Sequence, residues 1–172
     1  MKFGNIIEAM SNQEVLTSKI SISRLHNKYI RYTKKNDVVE NITIHLCNLP
    51  SKVVSGSGFP SSKIYLTTRT LKHLYDKRPA QLYDFILQNI LYIIKYPDIV
   101  YNNKGGKRGS KCFLKNIDGA KYFASIEKAI EEDGNYLVTV FTVDEKYLKE
   151  YKRQWSWEGG DPHRNDLDAT VR

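Results

Sequence analysis

With 172 residues, the chain is long enough for one domain around a buried core. Hydrophobic residues make up 41% of it and aromatic residues 12%, which excludes an intrinsically disordered class. Lys and Arg outnumber Asp and Glu by 27 to 19, and the net charge of +8 favours a polyanionic partner, most simply RNA or DNA.

From the N-terminus, residues 3–18 (FGNIIEAMSNQEVLTS) spread apolar side chains loosely at helical spacing, and no long apolar core of a secretion signal precedes them. KISISRLHNKYIRYTKK (19–35) and ENITIHL (40–46) alternate apolar residues at Ile20 and Ile22, then at Ile42, Ile44 and Leu46, and read as strands. SKVVSGSGFPSS (51–62) is rich in Gly, Ser and Pro and reads as a loop. It divides an N-terminal extension, 1–61, from a core, 62–157.

KIYLT (63–67) predicts a strand, and Thr67 or Thr68 can cap the helix that follows. Leu71, Leu74 and Tyr75 form that helix's apolar stripe, leaving Arg69, Lys72, His73 and Lys77 on its other sides. Pro79 ends it and opens a second helix, PAQLYDFILQNILYIIKY, which stops before Pro97. That helix holds the longest apolar run, Ile86 to Ile94, but Gln88 and Asn89 interrupt it and no membrane span is expected. DIVYN, SKCFLKN, KYFASIEKAI and NYLVTVFTV predict four strands, with NKGGKRGS and EEDGN as turns between them. DEKYLKEYKRQW reads as a short closing helix, and 158–172 as a polar tail. Helices followed by a meander of strands make an α+β chain.

Chemistry has few candidates. The four histidines (His26, His45, His73 and His163) are scattered without a metal-ligand pattern, so no metal is expected. No Walker loop, GxSxG elbow or dinucleotide fingerprint is present. Cys47 and Cys112 read as reduced thiols in a cytoplasmic protein, with a single disulfide as the alternative. Gly105–Gly109 is a basic, glycine-rich turn between strands or a weak phosphate cradle. Lys104, Lys107, Arg108 and Lys111 around it can grip a nucleic-acid backbone. Tyr92, Tyr96 and Tyr101 read as core or hinge aromatics. Trp155 and Trp157 either pack the last helix on the sheet or stack on RNA.

LTTRTLKHLYDKRP (66–79) stands out. Arg69, His73 and Lys77 recur every four residues and stack along one helix face, where like charges repel unless an anion lies opposite. Cationic neighbours also favour the neutral imidazole that a general base needs. The alternative is a histidine on a solvated helix face.

The succession of a strand, LTTRTLKHLYDKRP, a long helix, YPDIVYNN, SKCFLKN and NYLVTVFTV resembles the nuclease superfamily of barnase, EndoU, colicin-type tRNases and RelE. It is most similar to the phage-associated and polymorphic-toxin branch, over roughly residues 62–157. The resemblance implies a RelE/barnase-like fold, with helices on one face of a mainly antiparallel sheet. It also implies a metal-independent, cofactor-free endoribonuclease. There, the ribose 2′-hydroxyl attacks the adjacent phosphate and leaves a 2′,3′-cyclic phosphate and a 5′-hydroxyl. His73 matches the family's helix histidine as acid or base, Arg69 neutralises the phosphate, and Thr139 matches the strand threonine that orients a phosphate oxygen. Thr142 is the second choice, on the opposite strand face. Lys72 and Lys77 join Lys104, Lys107, Arg108 and Lys111 as RNA contacts. The implied partners are RNA, tRNA included, and a cognate inhibitor or immunity protein of a toxin or mobile-element product, with no membrane. Relatives often carry histidine where this chain has Arg78, which stabilises charge but shuttles no proton at neutral pH. That departure leaves a second reading, an inactive nuclease fold that binds RNA or a protein through its basic face.

Overall fold

The computed structural model describes residues 17–103, 109–129 and 133–157. Its first element corrects the strand reading of 19–35. Residues 17–25 are helical and continue into a π-helical turn, His26–Ile30, closed by the Arg31 amide donating to the His26 carbonyl at 2.8 Å (together α1). Its buried positions are Ser18, Ile22, Leu25 and Ile30. They form a helical stripe whose last interval is stretched by the extra residue of the π turn.

The strands are β1 (Thr43–Asn48), β2 (Lys63–Thr67), β3 (Ile99–Asn102), β4 (Lys111–Ile117), β5 (Ala120–Lys128), β6 (Asn135–Val143) and β7 (Lys152–Ser156). The helices after α1 are α2 (Ser51–Ser57), α3 (Thr68–Lys77), α4 (Ala80–Lys95) and α5 (Glu145–Leu148). The strands make one sheet in the order β1-β2-β6-β5-β4-β3-β7, parallel only between β2 and β6. The chain is thus α+β with a mostly antiparallel sheet, in accord with the sequence reading.

Two further expectations need correcting. The 51–62 segment is not all loop: residues 51–57 form α2, which ends on Gly58 in the left-handed region (φ 70°). The closing helix is a single turn, α5, capped by the Asp144 carboxylate accepting from the Tyr147 amide at 2.8 Å. The residues after it leave the helical path and pair with β3 as strand β7.

One face of the sheet carries the main core. Leu46, Ile64, Leu66, Phe113, Ala124, Ile126, Leu137 and Val140 meet Ile22, Leu25 and Ile30 of α1, Leu71 and Leu74 of α3, and Ile86, Ile90, Ile93 and Ile94 of α4. A bulge in β1 turns both Leu46 and Cys47 into this core. Residues 17–61, expected as an extension, therefore supply α1, β1 and α2 to the same packing unit. On the second face a smaller cluster gathers Tyr101, Cys112, Leu114 and Phe123 under Leu148 of α5 and Tyr151. Tyr92 is half-buried, its ring centroid 4.2 Å from the Nζ of Lys115. That lysine is fully buried and also donates to the Tyr96 carbonyl at 2.7 Å. Trp155 and Trp157, expected to pack the last helix on the sheet or to stack on RNA, belong to β7 and its continuation; Trp155 lies against Gly56 of α2, and the Trp157 ring lies 6.4 Å from that of Tyr96. No described helix is long and apolar enough to cross a membrane.

Candidate active site

α3 begins where the sequence places it. Thr67, in extended conformation, accepts from the Thr70 amide at 3.2 Å, an N-cap worth about 1 kcal/mol. β2 pairs with β6 only at Ile64–Asn135 and Tyr65–Tyr136, so the later part of β6 has no strand on that side. α3 lies there instead and satisfies the strand's carbonyls with side chains. The Thr70 hydroxyl donates to the Leu137 carbonyl at 2.9 Å, and Nε of Arg78 donates to the Val140 carbonyl at 2.9 Å.

Arg78 brings the first two candidate residues together. Its Nη2 donates to the Thr139 hydroxyl at 3.2 Å, and its guanidinium carbon lies 5.5 Å from the Phe141 ring centroid. Register explains why Thr139 is available. An extra residue in β6, Val138, lies between Leu137 and Thr139, which face the consecutive Ile126 and Ser125 of β5, and places Thr139 across from Ser125 on the second face. Thr142 pairs with Tyr122, a main-core residue, and so lies on the opposite face, exposed and apart from Arg78. Burial lowers the pKa of the Arg78 guanidinium from its ordinary value. It remains a cation near neutrality.

Arg69, His73 and Lys77 are exposed along α3. Leu71 and Leu74 point into the main core and Thr70 points at β6. Around the helix, Lys77, His73 and Arg69 follow Thr70 in turn, on the side away from the main core. Lys72 occupies the other flank and does not face this site. It is 5% exposed, its Nζ 2.5 Å from the Asp76 carboxylate and 2.8 Å from the Lys34 carbonyl. Lys111 lies on β4, two strands from β6, its Nζ donating to Asn102 at 2.7 Å and to Gln154. Lys104, Lys107 and Arg108 lie outside the described residues.

The sequence reading passed over three residues on the same open face. Alternation along KIYLT sends Ile64 and Leu66 inward and Tyr65 outward, where it meets His45 of β1 and Tyr136 of β6. Ring centroids are 5.8 Å apart for His45–Tyr65 and 5.5 Å for Tyr65–Tyr136. Tyr65 also lies across the backbone of Gly134, where a Cβ would come within 2.2 Å of its ring, so only glycine fits there. The three-residue step from Tyr136 to Thr139 spans about 10 Å of strand. The sheet face thus joins an aromatic row to an arginine–hydroxyl pair, and α3 beside it carries Arg69, His73 and Lys77 on its exposed side. Among the described residues no group of three or more His, Cys, Asp or Glu could hold a metal ion. No family model matches the chain, and no curated protein or solved structure matches it either.

Proposed function

We propose that the chain is a metal-independent endoribonuclease acting at the edge of β6. In this reading one phosphate of an RNA strand sits beside Arg78 and Thr139. The neutral imidazole of His73 takes the proton of the ribose 2′-hydroxyl as that oxygen attacks phosphorus. The bond from phosphorus to the 5′-oxygen breaks, that oxygen takes a proton from water, and a 2′,3′-cyclic phosphate remains. Arg78 offsets the charge developing on the non-bridging oxygens, and Arg69 and Lys77 hold the flanking backbone.

The observation that carries the reading is the Arg78–Thr139 contact at 3.2 Å on the open sheet face. A guanidinium has five N–H donors, and the bonds to Val140 and Thr139 use two of them. The same fork can still bind a phosphate, pre-aimed by its bonds to the strand.

The test is incubation with total RNA in EDTA, followed by analysis of fragment ends. Cyclic phosphates are expected, and His73→Ala will slow cleavage by about 10²–10⁴-fold while leaving RNA affinity nearly intact. Intact RNA with the wild-type protein, or full activity in His73→Ala, refutes the reading. One observation favours the non-catalytic alternative: Arg78, which shuttles no proton at neutral pH, is hydrogen-bonded into the sheet. Under that alternative the wild-type protein retains RNA on a filter and never cuts it.

A further inference from the structure

A cleft of about 610 Å³ lies between α2 and β7, at the opposite end of the sheet from β1. We propose that it binds a nucleotide, the base against the indole rings of Trp155 and Trp157 and the phosphate between Lys52 and Arg153. The site is separate from the Arg78–Thr139 pair and does not depend on RNA cleavage. From β6 to β7 the sheet runs through β5, β4 and β3, and four strand spacings make about 19 Å.

Three observations converge on this ligand. The first is ring geometry: Trp155 and Trp157 line the cleft with centroids 5.4 Å apart and planes at 66°. Two large apolar rings in a wet cleft offer a planar partner a stacking surface. The second is charge. Lys52 and Arg153 line the cleft with Ser55, Gln154 and Ser156, and among the described residues that line it none is acidic. An anion is favoured there, and a cation is not. The third is pre-organisation. Nε2 of Gln154 donates to the carbonyls of Gly56 and Ser57 at 3.1 Å each, tying the two walls together. Trp155 presses on Gly56 so closely that a Cβ there would lie 2.4 Å from its ring. The cleft size also lies within the range of small-molecule sites, roughly 300–1,000 Å³.

Trp155 and Trp157 are the chain's two tryptophans, so intrinsic fluorescence reports on this cleft without a label. The full chain is titrated with a 5′-mononucleotide and, separately, with a 2′-O-methyl hexanucleotide. The hexanucleotide lacks the attacking hydroxyl and cannot be cleaved, so binding is read apart from activity and the two proposals fail separately. Saturable quenching is expected. Saturation by the mononucleotide identifies a free nucleotide as the ligand, and saturation by the hexanucleotide alone identifies a nucleotide within a strand. Trp157→Ala will weaken binding about 5- to 100-fold, while Trp157→Phe keeps most of it. The exposed pair Lys52→Ala/Arg153→Ala will weaken it and flatten its salt dependence without disturbing the core. No saturable change with either probe overturns the proposal. So does quenching that the Lys52→Ala/Arg153→Ala variant leaves unchanged.

Discussion

Asp76→Asn tests the structural role of Lys72, the one α3 cation held in a buried ion pair among the described contacts. Asp76, its side chain 10% exposed, accepts from Lys72 at 2.5 Å and from the Asn36 amide at 3.0 Å, pinning the loop after α1 onto α3. The substitution keeps the shape and one acceptor but leaves the Lys72 ammonium, 7% exposed, without its counter-ion. Breaking a buried pair costs about 3–5 kcal/mol. Here the Lys34 carbonyl still accepts from Lys72 at 2.8 Å, so a loss of about 2–3 kcal/mol is expected. With m near 2 kcal/mol/M, the urea midpoint falls by about 1 M. The pH dependence adds a second readout. Burial pushes the Asp76 carboxyl up, but the hydrogen bond from Lys72, the Asn36 amide and the charges of Lys72 and Lys35 outweigh it and hold the pKa below its ordinary 3.8. A depressed folded pKa means that this stability is present above that ordinary value and lost as pH falls through the folded one. The wild-type advantage over Asp76→Asn should therefore shrink in acid. A loss under about 0.5 kcal/mol at pH 7 refutes the argument, as does a Lys72→Met/Asp76→Leu variant no more stable than Asp76→Asn.

Three other outcomes follow from contacts already described. Thr70→Val leaves the Leu137 carbonyl without its donor and should cost about 1–2 kcal/mol in urea unfolding, with little change in helix content by circular dichroism. Lys115→Met removes the ammonium from the Tyr92 ring and from the Tyr96 carbonyl and takes the cation from beside Asp98, 3.5 Å away, whose carboxylate keeps the Asn116 amide. A loss of about 2–3 kcal/mol is expected, measured by the same unfolding assay. Gly56→Ala gains about 1 kcal/mol of helix propensity, yet its methyl meets the Trp155 ring, and overpacking of this kind costs about 1–3 kcal/mol. The collision should win narrowly, with a shift in tryptophan emission showing that Trp155 has moved.

The parts of the fold readable in the sequence are those built by local rules. α3 and α4 follow from a capping threonine, the Leu71–Leu74 stripe and Pro79, and β6 follows from the β-branched and aromatic run NYLVTVFTV. α1 was hidden because Ile20 and Ile22 suggest a period of two, yet Ile20 is 44% exposed and the buried stripe runs through Ser18, Ile22, Leu25 and Ile30. α2 was hidden because its sequence is a poor helix former, held by Val53 in the core and Trp155 against Gly56. β7 exists through pairing with β3 some fifty residues earlier, which no local pattern of KRQWS announces. The site divides in the same way. The cationic spacing of α3 was visible, but the diversion of Lys72 to the loop at Lys34 was not. Nor was the reach of Arg78 to Thr139, which depends on β6 lacking a strand neighbour there.

The late position of β7 in the chain also bears on how the protein is made. Ile99 has its partner in Ser156, and Val100 in Trp155, so during synthesis the β4-facing side of β3 can pair long before its other side. Until residues 152–156 emerge, the growing chain carries an apolar strand, IVYN, with one row of backbone amides and carbonyls open to any neighbouring nascent chain. Lys152 and Arg153 then close that edge with a charged strand, a substitution that natural sheets use against edge-to-edge association. Truncation before β7 should therefore show itself first as aggregation during expression.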